Sequence, residues 1–558
     1  MNTLPTTNKT KWLYYFIGIA VLVNFSGLFI PIMGPDGTLY ASIAKTMVQR
    51  NDYVQLFAYG TDWLDKPHFP FWITAFSFKL FGFTTWAYKL PGILFMLMGA
   101  GYTYLFARKL YNKEVALWAV LILLTAQHII LSNNDVRAEP YLTGLIIAVV
   151  YHFYNAYTRN SFWQLVIASL FTACAIMTKG MFALVPIGGA IAGNLLITRQ
   201  WKQLFNLRWL LAAVLILVFI LPEIYCLYQQ FDSHPEKVIF DRTGVSGIKF
   251  FFWDSQFGRF FNTGPIKGHG DPTFFVHTTL WAFLPWSLLL FAAIYQFIKK
   301  GIKNVHNREW FCISGALLTF LLFSASKFQL PHYLNIVFPF FAIITAQYLY
   351  GLRSPKTLNI IRIMQIVVVV LLLVIIAVLH YFFRPEEFSW HIGLMLIIWL
   401  GIMLILPGSF PETDFRQTAF RTLIAAVIVN IYLNFAFYPS LLHYQSGSEA
   451  AMWINHHNPD KLPVVQNHEI GSHPMDFYIH PTIITLYPGG KEKIPATPFI
   501  FYGSPGAVAD LTAKGRQVQN LAYFPHYAIT RLKPAFLNKA TRATTLDTMQ
   551  VVLVLSCL

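Results

Sequence analysis

GPDGTLYASIAKTMVQRNDYVQLFAYGTDWLDKPHFPFWITAFSFKLFGFTTWAY, residues 34–88, is a polar stretch between two apolar runs. The run before it, Trp12–Met33, is long enough to cross a bilayer, which takes about 20 residues. It lacks the small-residue cleavage site of a secretory leader, so it reads as a retained anchor with its N-terminus inside. The stretch therefore leaves the membrane and returns near Tyr88. Within it Leu39, Tyr40, Ile43, Ala44, Met47 and Val48 recur at helical spacing. That spacing predicts an amphipathic helix over 36–50 lying on the membrane surface. Asp36 stands at its start, where an N-cap is expected. Phe69 to Leu80, rich in Phe and Trp, predicts a second interfacial helix.

The rest of the chain reads as membrane. Of 558 residues, 56% are hydrophobic, 17% aromatic and only 12% charged. Soluble domains carry about twice that charge. Apolar runs continue near 88–107, 115–131, 139–157, 161–178, 181–198, 209–228, 273–298, 309–325, 331–350, 363–383, 391–407 and 420–438, about thirteen spans in all. Two long polar loops interrupt them, 34–87 and 229–272. From about Tyr444 the chain turns polar, with Pro, Gly and His. A helix-like Glu449–His456 and β-like runs at Pro463–Gln466, Thr482–Tyr487, Phe499–Tyr502 and Val551–Leu555 predict a small α/β domain. The expected architecture is a mainly α, polytopic membrane protein, with a transmembrane domain over 1–440 and an α/β domain over 441–558. Cys174, Cys226, Cys312 and Cys557 suggest neither a disulfide framework nor a metal knuckle.

The net charge of +16 has a topological explanation that needs no nucleic acid. With the N-terminus inside, Arg108, Lys109, Lys113, Arg159, Arg199, Lys202, Arg208, Lys299, Lys300, Lys303, Arg308, Arg353, Lys356, Arg362, Arg416 and Arg421 all fall on the inner side, as the positive-inside rule predicts. An odd number of spans then puts both long loops and the C-terminal domain outside. The short outer turns are nearly free of Lys and Arg, except for Arg137, Lys179 and Lys327.

The outer boundary thus gathers Asp36, Asp65, Lys66, Asp135, Arg137, Glu139, Lys179, Asp254, Arg259 and Lys327. Charges this close to the membrane are costly and usually face a water-filled cavity. Clustered Lys and Arg suit a phosphate, and a neighbouring carboxylate suits a general base. A phosphate held beside a base at the membrane surface is what a lipid-phosphate-sugar donor requires.

Asp36-Gly-Thr-Leu-Tyr40, then Asp65-Lys66-Pro67 and Phe71-Trp72, resembles the bacterial aminoarabinose transferases. With the protein O-mannosyltransferases these form a group of integral-membrane GT-C glycosyltransferases, family 39. Val136-Arg137-Ala138-Glu139-Pro140, Thr178-Lys179-Gly180, Gln256-Phe257-Gly258-Arg259-Phe260, Leu284-Pro285-Trp286-Ser287 and Ser326-Lys327-Phe328-Gln329-Leu330-Pro331-His332-Tyr333 match later landmarks in order. The resemblance covers most of residues 12–345. It implies a hexosyl- or pentosyltransferase that takes a monosaccharide from an undecaprenyl-phosphate or similar polyprenyl-phosphate donor. Transfer would occur at the periplasmic side of a bacterial inner membrane, with inversion. The acceptor would be lipid A, another glycan or a protein, and the protein a monomer.

By the same resemblance Asp36 is the catalytic carboxylate and Glu139 the second-loop acid. Lys66 and Arg259 hold the donor phosphate, and Tyr40, Asp65, Arg137, Lys179, Lys327 and Tyr333 line the substrate site. Asp65 matches an acid that binds a divalent metal in some members, with Asp254 as a second position, but no metal or other cofactor is assigned. Gly37 and Glu139 depart from the group's usual Asp-Glu pair and second-loop Asp.

Simpler readings of the same residues compete. Asp36 could cap its helix. Lys66 could snorkel, and Arg137 could pair with Glu139 as an ordinary ion pair. Lys179 and Lys327 could each answer a helix dipole, and Arg259 could anchor a surface helix. A transporter is the alternative function. Transporters favour internal repeats and mid-membrane sites, whereas here no repeat is visible and the charges gather at one face.

Overall fold

A computed structural model describes residues 6–264, 266–299, 309–411, 414–468, 472–481, 483–486 and 493–557. Each predicted span coincides with a helix or with two helices joined at a break. Seven described helices are long and apolar enough to cross a membrane, or eight if a bent pair counts as one span. Lys300, Lys303 and Arg308 of the basic-turn prediction lie outside the described residues, as do Thr482 and Tyr487.

The breaks occur mainly where spans approach the end of the bundle that carries the two long loops. Lys113–Thr125 and Gln127–Asn134 meet at 52°. The run at 273–298 divides into Phe274–Ala282 and Ser287–Lys299 around Pro285. The first helix, Thr6–Phe25, stops well short of Met33. The turn that follows is held by the fully buried Lys89, which donates to Gly27 O (2.9 Å) and Ile30 O (2.7 Å). Inside the bundle, Asn133 bonds Asn24 (2.6 Å) and Asn134 bonds Asn434 (2.9 Å). Such amide contacts hold helices together where lipid removes the hydrophobic drive for association.

Small residues set the closest helix approach. Thr85–Leu110 meets Glu139–Thr158 at Gly99 and Gly144, and a Cβ on Gly144 would stand 2.1 Å from the Phe95 carbonyl oxygen. Gly101, on the first of these helices, has nothing within 4 Å of its would-be Cβ. Gly144→Ala is therefore expected to destabilise by about 1–3 kcal/mol through overpacking. Gly101→Ala should be neutral or stabilising, since Ala is the better helix former. Thermal midpoints of the two variants in detergent check this; equal midpoints would contradict the packing.

The C-terminal part is a five-stranded sheet in the order 483–486, 464–467, 499–503, 547–557, 516–526. The first three strands are parallel and the last two run antiparallel. Side chains alternate between two cores. Val464, Ile500, Tyr502 and Val551 pack with Ala450, Ile454 and Met475 on one face, while Val465, Phe499, Phe501 and Val552 pack with Val508 and Leu511 on the other. The edge strand Arg516–His526 had no clear sequence signal: it is polar, and Pro525 is tolerated because an edge leaves one side of the ladder unpaired.

This sheet layer sits on the first loop, which corrects the surface-helix expectation. The helix Gly34–Arg50 buries Ile43, Ala44 and Met47, and also Thr38, Ser42 and Lys45. Its polar side is covered by the helix Ser472–Tyr478. Lys45 Nζ donates to the carbonyls of Asp476 (3.1 Å), Phe477 (2.9 Å) and Ile479 (2.8 Å). Burial pushes the Lys45 ammonium down to about 8, against the opposing pull of Asp476. Gln445 completes the junction, accepting from Gly34 N–H (3.0 Å) and donating to Ile32 O (3.0 Å).

Candidate active site

Asp36 does not cap its helix. Met33 occupies the cap position without a side-chain bond, and Asp36 lies inside the first turn. Its Oδ2 accepts from Arg137 Nη1 at 2.6 Å. The same guanidinium reaches Asp135 Oδ2 through Nε (3.0 Å) and Nη2 (2.8 Å). Arg137 thus bridges two acids, and the competing reading of an ion pair with Glu139 is not what the structure shows.

Glu139 instead pairs with Lys179. The carboxylate is 2% exposed and also faces His332 Nε2 at 3.7 Å. Lys179 lies 3.7 Å over the Tyr333 ring, so besides standing in the last turn of its helix, which Gly180 closes, it meets a buried acid.

The third group centres on Asp65. Lys66 bonds its Oδ2 (2.5 Å), and Arg259 from the second long loop bonds its Oδ1. Burial alone would raise the Asp65 carboxyl, but Lys66 and Arg259 outweigh it and hold the group below its usual value. Burial pushes the Lys66 ammonium below its ordinary value while Asp65 pulls the other way. Arg259 also lies 5.6 Å from the Phe328 ring centroid. Lys66 and Arg259 are therefore partly buried ion-pair members, and neither snorkels nor merely anchors a surface helix.

These groups form one site. Tyr40, packed against Trp63 and Phe71, is held well above its usual pKa by burial and by the nearby acids, chiefly Asp36 and Asp65. Lys179 lies within electrostatic reach of Lys66 and Arg259. Asp36, Asp65, Asp135 and Glu139 balance Lys66, Arg137, Lys179 and Arg259, so the cluster is self-neutralised. Lys66 and Arg259 already hold Asp65, while Arg259 Nε is buried without a partner, and the low dielectric makes each charged contact there strong.

Lys327 is not brought in. It is exposed, and its backbone N–H donates to Phe260 O (3.1 Å). A divalent metal does not fit at Asp65, whose two oxygens each carry a cation, and among the described residues no group of three His, Cys, Asp or Glu could hold one. Asp254 ends a π-turn, Phe250–Asp254.

Beneath the cations the bundle opens. Lys179, Arg259, Phe182, Phe260, Phe328 and Tyr333 surround a cavity of about 80 Å³ that Phe323 also lines. One helical turn further along the same helix, Phe320 lines a much larger apolar cavity of about 530 Å³, with Val276, Leu290, Ile294 and Phe341.

Sequence reasoning passed over His68 and Glu223, a buried pair described below. Glu223 is one carboxylate inside the apolar run 209–228, and an acid at such a position was itself the signal. His332 and Asp135 stood beside recognised motifs without a role.

A family described as dolichyl-phosphate-mannose-protein mannosyltransferase matches residues 65–226. An uncharacterized protein of Aquifex aeolicus (strain VF5) is 27% identical over 360 residues, covering 63% of this chain and 66% of that protein. The undecaprenyl phosphate-alpha-4-amino-4-deoxy-L-arabinose arabinosyl transferase of Edwardsiella ictaluri (strain 93-146) is 25% identical over 320 residues, covering 56% of this chain and 55% of that protein. The chain thus spans less than two thirds of the length of either relative. Among solved structures, ArnT from Cupriavidus metallidurans bound to undecaprenyl phosphate superposes with a TM-score of 0.71 at 18% identity, over 98% of both chains. The chain shares its fold with that structure and with the same protein in the apo state, which superposes with a TM-score of 0.71 at 19% identity.

Proposed function

We propose that this GT-C membrane protein transfers a monosaccharide from a polyprenyl-phosphate carrier to a hydroxyl group on a lipid, glycan or protein acceptor. The carrier would be of the undecaprenyl-phosphate type, and the reaction would lie at the periplasmic face of a bacterial inner membrane. The observation that carries this reading is the pairing of two cations, Lys66 and Arg259, on one carboxylate. They stand beside a half-exposed Asp36, and Arg259 lines a cavity of about 80 Å³ walled by Phe182, Phe260, Phe328 and Tyr333. A phosphate displacing Asp65 gains two charge-assisted donors at once.

In the proposed reaction Asp36 accepts the proton of the acceptor hydroxyl. The oxygen attacks the anomeric carbon from the face opposite the phosphate, the bond from that carbon to the phosphate oxygen breaks, and configuration inverts. The electron pair leaves on the phosphate, where Lys66 and Arg259 stabilise the added negative charge. Glu139, neutralised by Lys179, acts as a counter-ion that keeps Lys179 charged at the cavity wall. Asp65 acts as the placeholder for the phosphate.

The test is sugar transfer in proteoliposomes with a panel of undecaprenyl-phosphate monosaccharides, together with direct binding of undecaprenyl phosphate. Release of undecaprenyl phosphate coupled to glycosylation of an acceptor is expected from one member of the panel. Absence of any undecaprenyl-phosphate binding would overturn the reading in favour of a transporter.

A further inference from the structure

The contact between Glu223 and His68 has no part in the chemistry above, yet it is among the most completely buried polar contacts in the protein. Glu223 and His68 are each 0% exposed. Glu223 belongs to the helix Arg208–Leu227, whose other side carries Leu210, Leu217, Leu221 and Tyr225 exposed toward the lipid position. An acid on such a helix is expensive unless it has a task. Its oxygens are fully engaged. Oε2 accepts from the His68 backbone N–H (3.0 Å), and Oε1 lies in hydrogen-bond contact with His68 Nδ1 (3.0 Å). His68 Nε2 in turn donates to Val54 O (2.9 Å), and the ring packs 5.4 Å from Trp72.

Only Pro67, with its fixed φ, separates this locked residue from Lys66. Asp65, Lys66 and Glu223 border the same small space as Lys179 and Arg259. The helix then runs through a π-turn, Tyr228–Asp232, where Gln230 grips the first loop again. Gln230 accepts from Leu56 N–H (2.9 Å) and donates to Leu56 O (2.8 Å) and Asp62 (3.0 Å). Beyond that turn the second long loop carries Arg259. One lipid-facing helix therefore sets the backbone on which Lys66 stands and leads into the segment that supplies Arg259.

We propose that Glu223, acting through His68, is a positioning residue for the phosphate clamp, holding the Lys66 backbone where its ammonium meets the donor phosphate beside Arg259. The proposal rests on the function proposed above. A helix-packing role alone would stabilise the protein without coupling to Lys66.

The experiment measures undecaprenyl-phosphate binding to the detergent-purified full chain as wild type, Glu223→Gln, His68→Asn, Lys66→Ala and the Lys66→Ala/Glu223→Gln double variant, with thermal midpoints alongside. Glu223→Gln keeps the volume and one acceptor while removing the charge, and His68→Asn breaks the same contact from the other side. Each is expected to weaken binding roughly 10- to 100-fold, the scale of a small misplacement of a binding group. In the Lys66→Ala background Glu223→Gln should weaken it no further, because the group it positions is gone. Wild-type-like binding by both contact variants would overturn the inference alone, as would losses that add in full to that of Lys66→Ala. No binding by the wild type would overturn the proposed function and this inference with it.

Discussion

Asp36→Asn is expected to lower sugar transfer at least a hundredfold while leaving undecaprenyl-phosphate binding within a few-fold of wild type. A positioned general base contributes roughly 10²–10⁴ in rate, and the amide cannot accept the proton. The separation of the two readouts follows from geometry. The cations proposed to bind the phosphate, Lys66 and Arg259, meet on Asp65 and not on Asp36. Arg137 keeps its contact with Asp135 (2.8 Å) when Asp36 loses its charge. Because 45% of the Asp36 side chain is exposed, the substitution leaves no deeply buried cation stranded, and the fold should hold. Full turnover by Asp36→Asn would remove it as the base and leave it a structural partner of Arg137.

Arg259→Ala is the second large effect: kcat/KM should fall about 10²–10³-fold, the scale seen when one preorganised donor to a developing negative charge is removed. Part of the loss should appear as weaker donor binding, because the phosphate loses one of its two cations in the ground state as well. Asp65 keeps Lys66, so the variant is not left with an unpaired buried acid and should remain folded. Arg259→Lys should restore some activity but not all, since an ammonium supplies the charge without the guanidinium fork. Steady-state kinetics with donor varied at fixed acceptor separates KM from kcat. Unchanged kinetics in Arg259→Ala would remove the second loop from the phosphate site.

The spans were legible because lipid imposes long uninterrupted apolar runs. Asp36, Asp65, Lys66, Arg137, Glu139, Lys179 and Arg259 were legible as candidates because charge is rare there and stands out. Their pairing was not. Arg137 lies two residues from Glu139 yet bridges Asp36 and Asp135, while Glu139 pairs across the bundle with Lys179. A guanidinium chooses among carboxylates by which helix break aims each one, and the break at Ala126 is a property of packing. The same limit hid the helix Gly34–Arg50 under the C-terminal sheet: its alternating apolar face fits a membrane surface and a protein partner equally well.

Composition and periodicity were therefore sufficient for a membrane bundle with chemistry at one end, because the hydrophobic effect and the cost of burying charge act on every residue independently of the rest of the fold. Which cation neutralises which acid, that Lys327 stays outside, and that Glu223 holds the loop behind Lys66 depended on the tertiary structure. Lys66 and Arg137 each meet a neighbouring acid, but the contacts that join separate helices and loops link residues 40 to 194 positions apart. Their energies come from distance and burial, which exist only once the chain is packed.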